Sequence, residues 1–183
     1  MHEGIYLTEI VLDTGVIIGY GLVSHKAHQY CCRLFEEFPM EKNCYYYPKK
    51  VKGELKRVRC RITKKHIDES ELRRLYQFVD EFIRVAQEIN YEKSTEFNWA
   101  GILVVVTRAM KKFQQTSINR ISFDANHIAH YVCFCWDKKD CCDHFFVTTD
   151  NNLYENKVKI QKDICAAFDE QIEINIRNIW NFL

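Results

Sequence analysis

The sequence predicts an α/β fold in which helices cover both faces of a parallel sheet. Three short apolar runs with the composition of buried strands occur at residues 5–12, 145–147 and 172–176. Amphipathic helical patterns occupy the sequence between them. Because strands that alternate with helices form parallel sheets covered on both sides, we expect a three-layer α/β/α sandwich with a central parallel sheet.

The chain of 183 residues is expected to form a single domain over residues 1–183, since no repeat or linker divides it. Its longest apolar run, residues 99–106, is too short to cross a membrane. The first residues lack the basic and apolar segments of a signal peptide. Nine cysteines, an odd number, occur without a secretion signal, so we expect a reduced, cytoplasmic protein.

The first half of the chain contains one strand and two predicted helices. The strand ends at Asp13-Thr14-Gly15, a turn sequence. Residues 23–38 have helical spacing with Ser24 as the cap. The next helix is predicted to begin at Pro48, a residue suited to the first helical position. Its apolar stripe consists of Val51, Leu55, Val58 and Ile62.

From residue 68 onward, further helices alternate with two strands. Asp68 and Glu71 form a capping-box pattern before an amphipathic helix. Residues 94–113 predict a helix, although the β-branched run at 102–106 also suits a core strand. Ser122 or Asp124 begins the next helix, and a last one covers residues 154–168.

Two aspartates directly follow predicted strands. Asp13 comes after the first strand and Asp150 after the second. Ligands bind at the carboxyl ends of strands in α/β sheets, so both carboxylates are expected there. The alternative is that each aspartate only closes a turn or caps a helix.

Two further acids lie on predicted helices. Glu54 lies beside an apolar stripe, where an ionised carboxylate is costly unless it is paired or binds a cation. Alternatively, it reaches solvent at the edge of the stripe. Asp124 at a helix N-terminus stays ionised, either as a ligand or as a plain cap. His127 and His130 follow it, either as neighbours of a ligand or as partly exposed helix residues.

Carboxylates that converge on one sheet edge repel one another. A hard divalent cation such as Mg²⁺ removes this repulsion. One or two such ions activate water for phosphodiester hydrolysis. A metal-dependent phosphodiesterase therefore explains the four acids together.

The sequence around these acids resembles the PIN-domain ribonucleases, a family that includes the VapC-type toxins. The similar motifs are Val11-Leu12-Asp13-Thr14, Lys52-Gly53-Glu54-Leu55, Asp124-Ala125-Asn126-His127-Ile128-Ala129 and Val147-Thr148-Thr149-Asp150. The resemblance implies a PIN-like sandwich and cleavage of RNA with Mg²⁺ or Mn²⁺. The implied metal-binding and catalytic residues are Asp13, Glu54, Asp124 and Asp150, with Thr148 as a supporting hydroxyl. The partners expected are RNA, an antitoxin if the chain is a toxin, and a second copy in a homodimer.

Gly15 departs from the family motif, which usually has asparagine there. This loss leaves open a second interpretation, a catalytically silent PIN-like module that binds RNA or protein. A phosphatase of the haloacid-dehalogenase type is disfavoured, because those enzymes need an aspartate where this chain has Gly15.

Basic residues concentrate around Glu54. Nine of the seventeen residues from 49 to 65 are Lys or Arg. Such a stripe is either a track for RNA phosphates or a solvated helix face. The residues predicted to contact RNA are Lys49, Lys50, Lys52, Lys56, Arg57, Arg59 and Arg61. The run Tyr45-Tyr46-Tyr47 either stacks on unpaired bases or packs within the protein.

Cysteines crowd the segment between the last two acids. They lack the Cys-x-x-Cys spacing typical of zinc sites, so buried thiols are favoured over structural zinc. The segment contains Cys133, Cys135, Cys141, Cys142 and His144.

Overall fold

The computed structural model describes residues 8–62, 67–113, 118–139 and 143–182. Within these residues five strands form one sheet. They are β1 (Glu9–Leu12), β2 (Cys44–Pro48), β3 (Gln87–Ile89), β4 (His144–Thr148) and β5 (Ile176–Asn178). Their order is β3-β2-β1-β4-β5, and every neighbouring pair is parallel. All five strands therefore end on one side of the sheet, which we call the carboxyl edge, with β1 in the middle.

Helices connect the strands and cover both faces of the sheet. A short 3₁₀ turn at Ile179–Asn181 follows β5. The helices in the described residues are α1 (Thr14–Gly21), α2 (His28–Glu37), α3 (Lys50–Ile62), α4 (Glu69–Val85), α5 (Trp99–Lys111), α6 (Ile118–Asp137), α7 (Asn151–Glu155) and α8 (Lys157–Phe168). None of them is both long and apolar enough to span a membrane.

The core is divided into two layers by the sheet. Successive strand residues point to opposite faces, so Val11 and Phe146 pack against α5, α6 and α8. Leu12 and Val147 pack on the other face against α1, α2, α3 and α4. The three-layer α/β/α sandwich with a central parallel sheet is confirmed.

Several element boundaries in the first half differ from those that the sequence predicts. Strand β2 was not predicted, and Pro48 ends it instead of beginning α3. Helix α1 was missed because it is apolar nearly all round. The predicted helix at 23–38 begins only at His28. Residues 5–7 of the first predicted strand lie outside the described residues.

Boundaries in the second half also shift. The β-branched run at 102–106 is helical, in a helix capped by Asn98 and not by Ser94. Helix α6 begins at Ile118, so the prediction that Ser122 or Asp124 begins this helix is wrong. The short β3 was not predicted, and the last strand covers Ile176–Asn178 and not 172–176. Residues 154–168 contain a break at Asn156 between two helices.

The N-terminal cap of α4 is confirmed, but its capping box is not closed. The Asp68 side chain accepts a hydrogen bond from the backbone N–H of Ser70. Glu71 instead accepts one from the backbone N–H of Ser24, 2.5 Å away. The first turn of α4 is thereby tied to the loop between α1 and α2.

The start of α1 packs directly against the residue that follows β4. A Cβ atom at Gly15 would overlap Thr149 Oγ1 and lie 3.3 Å from Thr149 Cβ and Cγ2. The asparagine that is usual in the PIN motif therefore has no space here while Thr149 is present. This close approach holds the residues after β1 and β4 side by side at the carboxyl edge.

We predict that Gly15→Ala lowers the free energy of unfolding by about 1–3 kcal/mol, because it overpacks this contact. Adding Thr149→Ala recovers most of the loss, which a double-mutant cycle in urea measures as a coupling energy. Gly53→Ala is the control, since a Cβ there meets nothing within 4 Å. Equal costs at the two glycines would show that the contact with Thr149 is unimportant.

Candidate metal centre

Asp13 lies between β1 and α1, at the middle of the carboxyl edge. It has the extended backbone of a helix cap, but its carboxylate makes no capping hydrogen bond. Instead, its Oδ2 accepts a hydrogen bond from Thr148 Oγ1 at 2.9 Å. Its Oδ1 lies 3.2 Å from His127 Nδ1. The carboxylate therefore points across the carboxyl edge, and the local helix-cap interpretation fails for this residue.

Glu54 projects from α3 towards the same place. Its Oε2 accepts a hydrogen bond from Thr14 Oγ1 at 2.5 Å. Its Oε1 lies 3.3 Å from His127 Nε2, an ion pair in which neither atom has a hydrogen-bond partner. Glu54 therefore faces inward, as its position beside the apolar stripe allowed.

His127 of α6 lies between the two carboxylates. Asp13, Glu54 and His127 each offer one ligand atom, and these atoms lie within 4.8 Å of one another. Burial would lower the pKa of His127, but hydrogen bonding and charge from the two carboxylates raise it to about 10. At neutral pH, an imidazolium therefore bridges two carboxylates.

The carboxylates have complementary surroundings. Each has one oxygen beside His127 and the other on a threonine hydroxyl, Thr148 or Thr14. Burial acts to raise the pKa of Asp13, but His127 and Thr148 together hold it below its usual value. The two acidic side chains are each 17% exposed and His127 is 2% exposed, so a ligand can approach from the carboxylate side.

The other two predicted acids lie outside this cluster. Asp124 lies on α6, three residues before His127, and is not among the mutually close ligand atoms. Residues three apart share a helix face, so it lies on the side of α6 that carries His127. Asp150 caps α7, because its Oδ1 accepts hydrogen bonds from the backbone N–H groups of Asn152 and Leu153. Its own N–H donates to Thr148 Oγ1 at 3.0 Å, which links it to Asp13 through one hydroxyl.

The predicted RNA-binding residues do not form one uniform surface. Lys49 and Lys50 pair with Glu92, and Lys52 pairs with Glu88 at 2.8 Å. Their charge is thus partly compensated by acids at and after β3. The guanidinium groups of two arginines lie over aromatic rings, Arg57 over Phe123 and Arg59 over Tyr76. Lys56 and Arg61 are exposed.

Tyr45, Tyr46 and Tyr47 form most of β2 and are buried, so they pack within the protein and cannot stack on bases. His130 is also buried. Its Nδ1 accepts the backbone N–H of Tyr91, and burial lowers its pKa to about 4, so it is neutral and structural.

The cysteine-rich segment is only partly described. Cys133 and Cys135 are buried within α6, and burial raises the pKa of each thiol to about 12. Cys141 and Cys142 lie outside the described residues.

Sequence reasoning left His127 out of the ligand set. A single histidine on an apolar helix resembles a core residue, and His130 is one. The signal in the sequence was the apolar character of its neighbours Ala125, Ile128 and Ala129, which are all fully buried. A core-facing histidine of this kind needs a charged or polar partner.

No family model matches the sequence, and no curated protein matches it either. The fold is similar to that of a chain in the crystal structure of VapBC2 from Rickettsia felis bound to a DNA fragment from their promoter. That match covers 93% of this chain and 98% of the other, with a TM-score of 0.52 and 13% sequence identity. The likeness extends over nearly the whole chain and supports a PIN-like fold.

Proposed function

We propose that this protein is a divalent-metal-dependent ribonuclease of the PIN type. The observation that carries the proposal is the meeting of Asp13 and Glu54, 41 residues apart, at the middle of the carboxyl edge. This is the place where α/β folds bind ligands. The four sequence motifs and the PIN-like fold support the same function.

The residues fit a hard divalent cation. Glu54 Oε1 is buried and pairs with His127 Nε2 at 3.3 Å, so it can become a ligand when a cation replaces the proton of His127. Carboxylate oxygens are the ligands that Mg²⁺ and Mn²⁺ prefer. We propose that Asp13 and Glu54 hold the ion, with Asp124 and Asp150 as the remaining acids of the site.

When bound, Mg²⁺ or Mn²⁺ supplies a nucleophilic water and stabilises charge on the phosphodiester. The chain itself orients the ligands. Thr148 holds one oxygen of Asp13, and Thr14 holds one oxygen of Glu54. Hydroxyls that fix metal ligands in this way typically raise metal affinity or activity 10- to 100-fold.

The role proposed for His127 is to neutralise the acids when no metal is bound. Two ionised carboxylates this close in a largely buried place repel each other strongly. The imidazolium offsets that repulsion in the metal-free fold. Binding of a cation then competes with the proton on His127.

A protein partner is proposed on the likeness to VapBC2. If the chain is a toxin, an antitoxin encoded in a neighbouring reading frame binds it and covers the acidic site. Co-expression of that frame followed by affinity purification tests this, and a partner that leaves cleavage unchanged would contradict it.

We predict that purified protein cleaves a long RNA with Mn²⁺ or Mg²⁺ and that EDTA stops the reaction. Asp13→Asn and Glu54→Gln each lower the rate on the order of 100-fold or more, because each removes a charged ligand. Asp124→Asn is expected to act in the same direction. Cleavage is measured by gel electrophoresis, and folding of each variant by thermal unfolding.

Asp163→Asn is the matched control, because this acid pairs with Lys112 away from the site. It should cleave like the unmodified chain. Undiminished cleavage by Asp13→Asn would contradict the proposed site. Absence of both cleavage and Mn²⁺ binding would favour the non-catalytic binding module.

We also predict that Mn²⁺ affinity rises with pH. The folded pKa of His127 is about 10, so the imidazolium predominates throughout the neutral range and must lose its proton to release the acids. If one proton is displaced, affinity increases about tenfold per pH unit, from about pH 6.5 to about pH 8.5. Titration calorimetry measures the affinity and the proton release.

In His127→Gln no such proton exists, and the Mn²⁺ affinity should be nearly constant over that range. The variant should also unfold more easily without metal, because the two carboxylates lose their counter-charge. An unmodified chain whose affinity does not change with pH would contradict competition with His127.

A further inference from the structure

We propose that a pocket beside the metal centre binds one unpaired nucleobase of the RNA by stacking it on Trp180. This inference rests on the proposed function and adds a base-binding subsite to it. The pocket lies at the carboxyl ends of β4 and β5 and has a volume of about 270 Å³. Its lining residues are Lys26, Thr149, Asp150, Asn151, Asn152 and Trp180.

The pocket is joined to the metal centre through the residues that follow β4. Thr148, which holds Asp13, is followed directly by Thr149 and Asp150, and both line the pocket. Strand β5 is two strands from β1. At about 4.8 Å per strand, the pocket lies about 10 Å from the acids. A nucleotide beside the phosphate held at the metal centre can therefore reach it.

Trp180 is held in a fixed orientation. Its backbone N–H donates to Asn178 Oδ1 at 3.1 Å, and Asn178 in turn donates to Asn151 Oδ1. Tyr30 packs edge-on against the indole, with 5.0 Å between ring centroids. The indole is only half-buried. A rigid, accessible ring is what a stacking platform requires, because little freedom is lost on binding.

The surrounding groups suit a nucleotide. The exposed ammonium of Lys26 lies over the Trp180 ring, 5.5 Å from its centre. A base that stacks on this face takes its place, and the ammonium can then contact a neighbouring phosphate. The exposed side chains of Asn151 and Asn152 line the pocket and can hydrogen-bond to a base edge. Stacking on an aromatic ring requires a base that is free of its own stack, so duplex RNA is excluded.

This pocket supplies an aromatic contact for a base, which β2 and the start of α3 do not offer. The tyrosine run before α3 is buried in β2, and Lys49, Lys50 and Lys52 are paired with acids. The three tyrosines of β2 therefore offer no aromatic ring to a base on the α3 side of the acids. Trp180 supplies one on the β5 side of the acids.

The test compares Trp180→Ala, Trp180→Phe and Lys26→Gln with Trp136→Phe as the matched control. Trp136 packs against Phe168 in the opposite layer. With a single-stranded RNA, Trp180→Ala should raise KM about tenfold with little change in kcat, because it removes uniform binding. Trp180→Phe should recover part of the affinity, and Lys26→Gln should weaken binding and its salt dependence. Trp136→Phe should change neither.

A second readout does not depend on cleavage. Asp13→Asn protein is titrated with a short single-stranded oligonucleotide, and tryptophan fluorescence is followed. Quenching that disappears in Trp180→Phe supports the pocket, even if the protein proves to cut nothing. Cleavage with the same KM in Trp180→Ala, or equal binding of duplex and single strand, would overturn the inference while leaving the ribonuclease proposal intact. A loss of kcat alone would also overturn it.

Discussion

Two largely buried carboxylates within reach of one histidine set the main constraint on this structure. Asp13 and Glu54 repel each other, and the positive charge of His127 between them offsets this repulsion. Removing His127 leaves two largely buried carboxylates without a counter-charge, which is among the more costly changes in a protein interior. Helices α1, α3 and α6 are thus joined by electrostatics as well as by apolar packing.

The parallel sheet brings the residues of this cluster together at its carboxyl edge. Every described strand ends on the same side, so the residues after β1 and β4 are neighbours although they are far apart in sequence. The absence of a side chain at Gly15 lets α1 approach Thr149, which holds the two strand ends together. Packing against Thr149 is therefore a physical reason for glycine at this position, where the PIN motif usually has asparagine.

The sequence was sufficient to predict the sandwich and the position of Asp13, because both depend on local pattern. A strand followed by Asp-Thr is visible in any window of residues, as is the capping aspartate of α4. The same reasoning failed where tertiary contacts decide. Tyr45, Tyr46 and Tyr47 form a strand because neighbours pair on both sides, and α1 is a helix despite lacking a polar face.

The composition of the site was also beyond local pattern. His127 and His130 are one helical turn apart on α6, yet one is charged and the other neutral. His127 contacts Asp13, which follows β1, and Glu54 of α3. His130 instead contacts Tyr91 and Trp99. The residue spacing within α6 does not predict these contacts. Asp150 illustrates the opposite case, since its capping of α7 is a local role that its sequence position had allowed.

The hydrogen bond between Asp13 and His127 joins residues 114 positions apart, and it crosses from one layer of the core to the other. During synthesis Asp13 emerges 114 residues before His127, which carries its counter-charge. A nascent chain that has not yet exposed His127 therefore holds no assembled centre. Any activity that depends on this centre begins only after His127 has left the ribosome.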